Sequence, residues 1–269
     1  MAGCPGTVSV SERRGRRLRL SGAAVVGAAV LAGCWPAVAW QQPEILVPSP
    51  AETAAALLLL VESGELAAQL WTTLSRAAVG VAIGIAAGAL WGLASASRRW
   101  IDEAGRPLRG LLLGLPPVIP AVLGTVWLGD AGAVAVLVVV VVTVPTAKVT
   151  VAEAARAIDA DLLEMARVYR LPPAARLRHL QLPALVPALR SAASLCGAGG
   201  LRVAIMAELL VAPDGVGAAV AQARGNLATA EVFAWALVAV AAALVTDWLV
   251  ARPARRGAAS RAAEPVGAR

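Results

Sequence analysis

Uncharged apolar runs punctuate the chain at Gly22–Trp40, Ala77–Ser97, Gly110–Leu128, Ala131–Ala147, Ser191–Ile205 and Val232–Leu249. Most of them approach the roughly 20 residues that a helix needs to cross about 30 Å of hydrocarbon at 1.5 Å rise per residue. The pattern predicts six spanning helices. The fifth run is polar in part and holds Arg202. Val136–Val144 is rich in a strand-forming residue, but a lone strand in lipid would leave its backbone unpaired, so a helix is expected there too.

Two runs carry a finer pattern. Gly80, Gly84, Gly88 and Gly92 recur at every fourth position, which places them in one stripe of the second helix. Missing side chains along a stripe let a neighbouring helix approach closely. In the third run Pro116, Pro117 and Pro120 remove backbone donors and should kink or interrupt the helix. Such a break is tolerated in a membrane where protein or a water-lined path satisfies the freed carbonyls, so Pro116 and Pro117 are candidates for lining a translocation pathway. A plain structural kink reads equally well.

Composition agrees with a membrane chain. Of 269 residues, 59% are hydrophobic and only 15% charged, with a mean hydropathy of +0.73. A water-soluble fold of this length would lack the polar surface to cover itself. The formal charge of +7 does not point to nucleic acid, because the arginines stand at the ends of apolar runs rather than on one amphipathic face.

Those arginines set the expected topology, since basic residues near span ends stay cytoplasmic. Arg13, Arg14, Arg16, Arg17 and Arg19 precede the first run, whereas the connection Gln41–Leu74 has four glutamates and no Lys or Arg. Within it, Pro50–Trp71 reads as a surface helix leading into the second span. Arg98, Arg99, Arg106 and Arg109 mark an internal loop, Gly129 and Asp130 an external turn, and Lys148–Arg190 a long basic internal loop. Pro213–Ala230 is external, and Arg252, Arg255, Arg256 and Arg261 close the chain inside. Both termini are thus expected in the cytoplasm.

A loop of about forty residues is long for a small transporter. Asp161–Tyr169 has helical periodicity, Leu171, Pro172 and Pro173 stop it, and Ala174–Leu180 starts a second helix. The expected shape is a helical hairpin projecting from the membrane, suited to a groove on a partner.

Here the residues resemble a family. Permeases of type I ABC importers carry a cytoplasmic pattern E-A-A-x3-G-x9-I-x-L-P, and Glu164, Met165, Ala166, then Arg170, then Leu180, Leu182 and Pro183 fall on its spacing. The flanks resemble the nitrate, sulfonate and taurine branch: Leu46–Ala51, Thr73–Gly80 with Arg76, Leu115–Leu123, Trp127–Gly129, Glu164–Tyr169, Leu182–Ala188, Ala207–Leu210 and Asp214–Gly217. Nearly the whole chain after Gln41 takes part. The family's glycine is Arg170 here, which removes a residue suited to positive φ. An arginine common early in the family's fifth span is Ser194. A second register also meets the spacing, with Glu153, Ala154 and Ala155, Asp159 at the glycine, and Leu171 and Pro172 at the end. The later register leads directly into a span and sets Glu208 where the family has a glutamate.

The resemblance implies an all-α, type I ABC importer permease fold with six transmembrane helices. It implies a basic cytoplasmic segment 1–21, a first helix 22–40, an external segment 41–69, a transmembrane domain 70–251 with coupling loop 148–190, and a disordered cytoplasmic tail 252–269. The implied function is ATP-driven import of a small anionic solute across the bacterial cytoplasmic (inner) membrane. The implied partners are a cytoplasmic ABC ATPase, an external or periplasmic substrate-binding protein, a second copy in a homodimer, and the lipid bilayer. ATP and Mg would be bound by the ATPase, with no cofactor on this chain. Glu164 would cap and position the hairpin helix or pair with a basic group of the ATPase, and Leu171 and Pro172 would form the turn. Glu164 as a solvated face residue is the plain alternative.

No phosphate-cradling G-x-x-x-x-G-K-[ST] occurs, so no enzymatic site is expected. His179, the single histidine, has no neighbouring ligand, and Cys4, Cys34 and Cys196 have no zinc or redox spacing. Leu31–Cys34 imitates a lipoprotein signal with cleavage at Cys34, against intact retention of the first span. Arg202 could draw an anion along the pathway, or serve as a structural arginine paired with Glu208. A stand-alone secondary transporter or channel without an ATPase remains the alternative class, although carriers usually show duplicated halves and no internal repeat is visible.

Overall fold

The structure, a computed structural model, describes residues 33–43 and 45–261. The basic amino-terminal segment, most of the first apolar run and residues 262–269 lie outside them. Among the described residues the chain is entirely helical, with no strand. After a helical stretch at 33–41, the elements are α1 (Pro50–Glu62), α2 (Glu65–Ser97), α3 (Arg99–Gly114), α4 (Val118–Leu128), α5 (Ala131–Arg156), α6 (Ala160–Val168), α7 (Pro173–Arg176), α8 (Leu182–Val211), α9 (Val216–Gly225) and α10 (Thr229–Arg261).

Among the described residues four helices are long and apolar enough to cross a membrane: α2, α5, α8 and the Thr229–Leu249 part of α10. The bent pair α3 and α4 makes a fifth if counted as one span. Six spans therefore stay an expectation, since the first apolar run falls largely outside the described residues.

The third apolar run, Gly110–Leu128, is broken at its prolines, the interruption that Pro116 and Pro117 announce. Leu115, held extended at φ −82° and ψ 115° ahead of Pro116, ends α3. Pro117 caps α4, and the two helices meet at 101°. Helix α3 carries Arg99, Asp102, Glu103, Arg106 and Arg109 beside exposed Trp100, Leu108, Leu111 and Leu113. That amphipathic composition suits a helix lying in the membrane surface.

The surface helix expected over Pro50–Trp71 is also divided. Ser49 and Glu52 form a reciprocal capping box at the start of α1. At its far end the chain turns through Gly64 at φ +74°, and α2 starts at Glu65, twelve residues before the apolar run. Helix α8 likewise exceeds its predicted span, Ser191–Ile205, running from Leu182 to Val211 with Pro187 inside it.

Helices α2, α5 and α8 form the centre. The glycine stripe of α2 faces α5, and an added Cβ at Gly80 would lie 2.7 Å from Val139 Cβ, at Gly84 2.6 Å from Thr143 Cβ, and at Gly88 2.5 Å from the Val144 carbonyl oxygen. At Gly92 it would lie 2.8 Å from the Lys148 carbonyl oxygen. Bare backbone on one side is what lets these two helices cross so closely. Leu201 and Ala204 of α8 join Ala77, Val139 and Ala243 in one cluster, and Ala121 of α4 packs with Val134, Ala135 and Val138 of α5. A third cluster sets α1 against α9 and α10 through Ala56, Leu60, Val216 and Trp235. Trp35 stacks on Phe233 with ring centroids 5.9 Å apart.

Candidate functional site

The hairpin between α5 and α8 is built from residues that cannot continue a helix. Asp159 accepts a hydrogen bond from the Asp161 N–H at 3.0 Å and so starts α6. At the other end, the Leu171 N–H bonds the Ala166 carbonyl at 3.0 Å across Arg170, which sits at φ +48°. This six-to-one closure around a left-handed residue is a Schellman ending, normally built on glycine. Arg170, at the position of the family's glycine in the later register, takes the glycine conformation despite its side chain. Pro172 then begins a short turn through α7 and a π-wound turn, Leu177–Gln181, into α8.

This arrangement leaves an apolar row open. Leu162 (43% exposed) and Met165 (46%) on α6 and Tyr169 (74%) in the turn directly after it lie three, then four residues apart, the spacing of anchors on a helix that fits a groove. Ala166 is buried, whereas Glu164, Arg170 and Pro172 are exposed and Leu171 half-buried. Leu182 and Pro183, both exposed, open α8. Glu164 is mid-helix in α6, so the capping role is corrected: Asp159 does that work. His179 is exposed in the π-wound turn, Cys34 is exposed and Cys196 buried.

A polar knot joins α2, α8 and the α8–α9 loop. Glu208, fully buried, accepts from Thr73 Oγ1 at 2.7 Å, Arg76 Nη1 at 3.1 Å and the Gly217 N–H at 3.3 Å. Arg76 Nη2 reaches Asp214 at 2.6 Å and its Nη1 the Asp214 carbonyl at 3.0 Å. The Val216 N–H donates to Thr73 Oγ1 and the Gly215 N–H to Gln69 Oε1. A buried carboxylate satisfied on this scale fixes its neighbours in one arrangement. Gly215, at φ +101°, is required because a Cβ would run into the Glu208 carboxylate.

At the far end of α2 and α5 is a second cluster. Lys148 Nζ, 2% exposed, lies 2.6 Å from Asp102 Oδ1 and 5.7 Å from the Trp91 ring centre. Arg156 Nη2 holds the other Asp102 oxygen at 3.0 Å. The hydrogen bond from Lys148 keeps the Asp102 carboxyl down at about 2 against the opposing effect of burial. In the sequence Lys148 stands at the start of the long basic loop, and nothing local links it to Asp102. The readable signal is that a lysine continuing an apolar helix needs a counter-charge.

Arg202 does not pair with Glu208. Its Nη2 lies 3.2 Å from Asp247 Oδ2 on α10, while Glu208, six residues on and on another face of α8, belongs to Arg76. Pro116 stands in the α3–α4 break and Pro117 at the start of α4.

Residues 80–256 match the family model described as binding-protein-dependent transport system inner membrane component. The chain belongs to that family. It is similar to the riboflavin transport system permease protein RibX of Chloroflexus aurantiacus, 28% identical over 213 residues and 78% of each chain. It is also similar to the "Putative aliphatic sulfonates transport permease protein SsuC" of Bacillus subtilis, 24% identical over 205 residues, 76% of this chain and 74% of that one. Among solved structures, the inward-facing MetNI methionine ABC transporter is alike in fold, with TM-score 0.60 and 20% identity over 70% of this chain and 94% of that chain. The protein is thus a multi-pass ABC transporter permease, a component distinct from the ATPase.

Proposed function

We propose that this permease works as a homodimer in an importer, moving a small anionic solute of the sulfonate, nitrate or taurine kind across the bacterial inner membrane. The observation that carries the coupling is the open row Leu162, Met165 and Tyr169 on a hairpin ended by left-handed Arg170. An apolar face on a basic, extramembrane hairpin needs a groove, and the family supplies an ATPase that has one to offer. ATP-driven closure of the ATPase pair would move the hairpin, and with it α5 and α8, to which its ends are joined. Glu164, Met165, Ala166, Arg170, Leu171, Pro172, Leu182 and Pro183 form the coupling element in this reading. ATP and Mg stay with the ATPase.

The distribution of arginines supports the orientation, with Arg98, Arg99, Arg106, Arg109 and the hairpin inside, the Arg76–Glu208 knot outside, and both termini in the cytoplasm. An external binding protein would deliver solute near the knot. The divided element at Pro116 and Pro117 and the mid-span Arg202 are the pathway candidates. The sulfonate permease relative supports an anionic solute, and the riboflavin relative is the competing direction.

The test is uptake by the complete complex in vesicles, paired with an ATPase whose phosphate-binding lysine is replaced. ATP-dependent uptake of an alkanesulfonate that the replacement abolishes is expected. Uptake that persists without ATP hydrolysis would return the chain to the class of stand-alone carriers.

A further inference from the structure

Helix α3 has two unlike faces, and protein holds it along one edge. At 3.6 residues per turn, Trp100, Ala104, Leu108 and Leu111 gather on one side and Arg99, Glu103 and Arg106 on the other. The edge at Asp102 and Gly105 is pinned to the bundle: Asp102 bonds Lys148, and a Cβ on Gly105 would lie 2.8 Å from the Trp91 ring. Trp100, Leu108 and Leu111 are left exposed.

The helix stands at one surface of the bilayer. It begins where α2 ends, and its Asp102 holds Arg156 in the last turn of α5, so it marks the end at which both spans leave the membrane. It then meets α4 at 101°. Towards the opposite end, exposed Trp71 on α2 and Trp127 at the close of α4 mark one aromatic belt. Trp71 and Arg98 are about 40 Å apart at 1.5 Å per residue of α2, the thickness of a bilayer with its headgroup layers. Trp100 thus falls at the second interface.

The charges of α3 do not cancel. Both of its acids are engaged within the protein, Asp102 by Lys148 and Arg156, and Glu103 by Arg99 at 2.9 Å. Arg98, Arg106 and Arg109 have no acidic partner among the described residues. Arg106 and Arg109, three residues apart, are neighbours on the helix surface, and Gly110 beside them is open. Free arginines bordering an exposed apolar face at an interface complement a negatively charged lipid surface.

We propose that α3 is a binding site for anionic phospholipid, with a net negative headgroup held by Arg106 and Arg109 and the acyl chains against Leu108 and Leu111. In the orientation proposed above the lipid belongs to the cytoplasmic leaflet, but the site depends neither on that orientation nor on the solute carried. The bound lipid fastens to the membrane the same helix whose Asp102 holds Lys148 and Arg156 at the base of the hairpin.

The test uses the complete complex lacking native cysteines, with Gly110→Cys carrying a nitrobenzoxadiazole fluorophore beside the two arginines. It is placed in nanodiscs of phosphatidylcholine containing a small fraction of lipid with a nitroxide on its acyl chain, either phosphatidylglycerol or phosphatidylcholine. Quenching by the anionic lipid is expected to be about threefold stronger than by the zwitterionic one. Arg106→Gln combined with Arg109→Gln should bring the two to equality and leave the phosphatidylcholine value unchanged, which shows that the helix still lies in lipid. Equal quenching with both arginines present, or a preference for phosphatidylglycerol that survives their loss, overturns the site. No quenching by either lipid also overturns it, and shows that protein, such as a second copy, covers this face. The measurement needs no uptake, so its failure leaves the importer reading standing.

Discussion

Lys148 Nζ and Asp102 Oδ1 are 2.6 Å apart where α5 passes beneath the first turn of α3, with the indole of Trp91 over the ammonium. This contact joins the base of the hairpin to the surface helix that leads into the divided span. Asp102 also holds Arg156, at the last turn of α5, so a shift of the hairpin is felt at α3. Asp102→Asn should leave the Lys148 charge buried with nothing to balance it. Its expected result is a detergent-solubilised complex unfolding several degrees lower, with less uptake per ATP hydrolysed. Lys148→Met should be milder, since Arg156 still neutralises Asp102. Thermal unfolding and the ratio of uptake to hydrolysis check both.

The outer knot gives a second prediction. Glu208→Ala removes the acceptor of Thr73, Arg76 and the Gly217 N–H together, and breaking a buried pair by one partner costs about 3 kcal/mol. Glu208→Gln keeps one carbonyl acceptor and should lose less. The two variants are compared by midpoint of chemical unfolding and by protease cutting in the α8–α9 loop, which should open in the alanine variant first.

The glycine stripe can be probed one methyl at a time. Gly88→Ala puts a Cβ 2.5 Å from the Val144 carbonyl oxygen, a backbone atom that cannot step aside. Overpacking of this kind costs about 1–3 kcal/mol. Gly110→Ala, on α3, meets nothing within 4 Å and should be neutral or slightly stabilising. Equal stability of the two variants would mean that α2 and α5 do not cross on this stripe.

Much of the helical layout was legible because apolar runs and prolines act locally. The Pro116–Pro117 pair announced an interruption, and the chain alone could not say that it would turn the helices through 101°, since the angle depends on how α3 and α4 rest on α2 and α5. Span lengths were underestimated where Arg76 and Glu208 looked too polar for an apolar run. Each has its partner more than a hundred residues away, and no local pattern reports such a pairing. The partner of Arg202 was misjudged for a related reason: Glu208 is near in sequence but turned to a different face of α8. The resemblance had singled out Thr73–Gly80, Ala207–Leu210 and Asp214–Gly217 as separate fragments, and the fold brings them to one knot. The departure at Arg170 was readable as a mismatch with glycine, while its left-handed conformation emerged only with the backbone.

That conformation carries a prediction of its own. Arg170→Gly relieves the cost of a side chain at φ +48°, about 1 kcal/mol, and should preserve or improve ATP-driven uptake. Arg170→Val adds a β-branched side chain where positive φ is least tolerated. It should unwind the end of α6 and lower uptake while leaving the membrane-embedded part folded. Protease sensitivity confined to the hairpin distinguishes this from global unfolding.

Coupling depends on what the hairpin touches. In the complete complex lacking native cysteines, Tyr169→Cys, 74% exposed in the single chain, is paired with cysteines placed in the surface groove of the ATPase subunit and oxidised with and without ATP. A disulfide to the nucleotide-hydrolysing subunit, formed at a yield that changes with ATP, is predicted. A transport-competent complex in which no position of that subunit can be linked to residue 169 would contradict it.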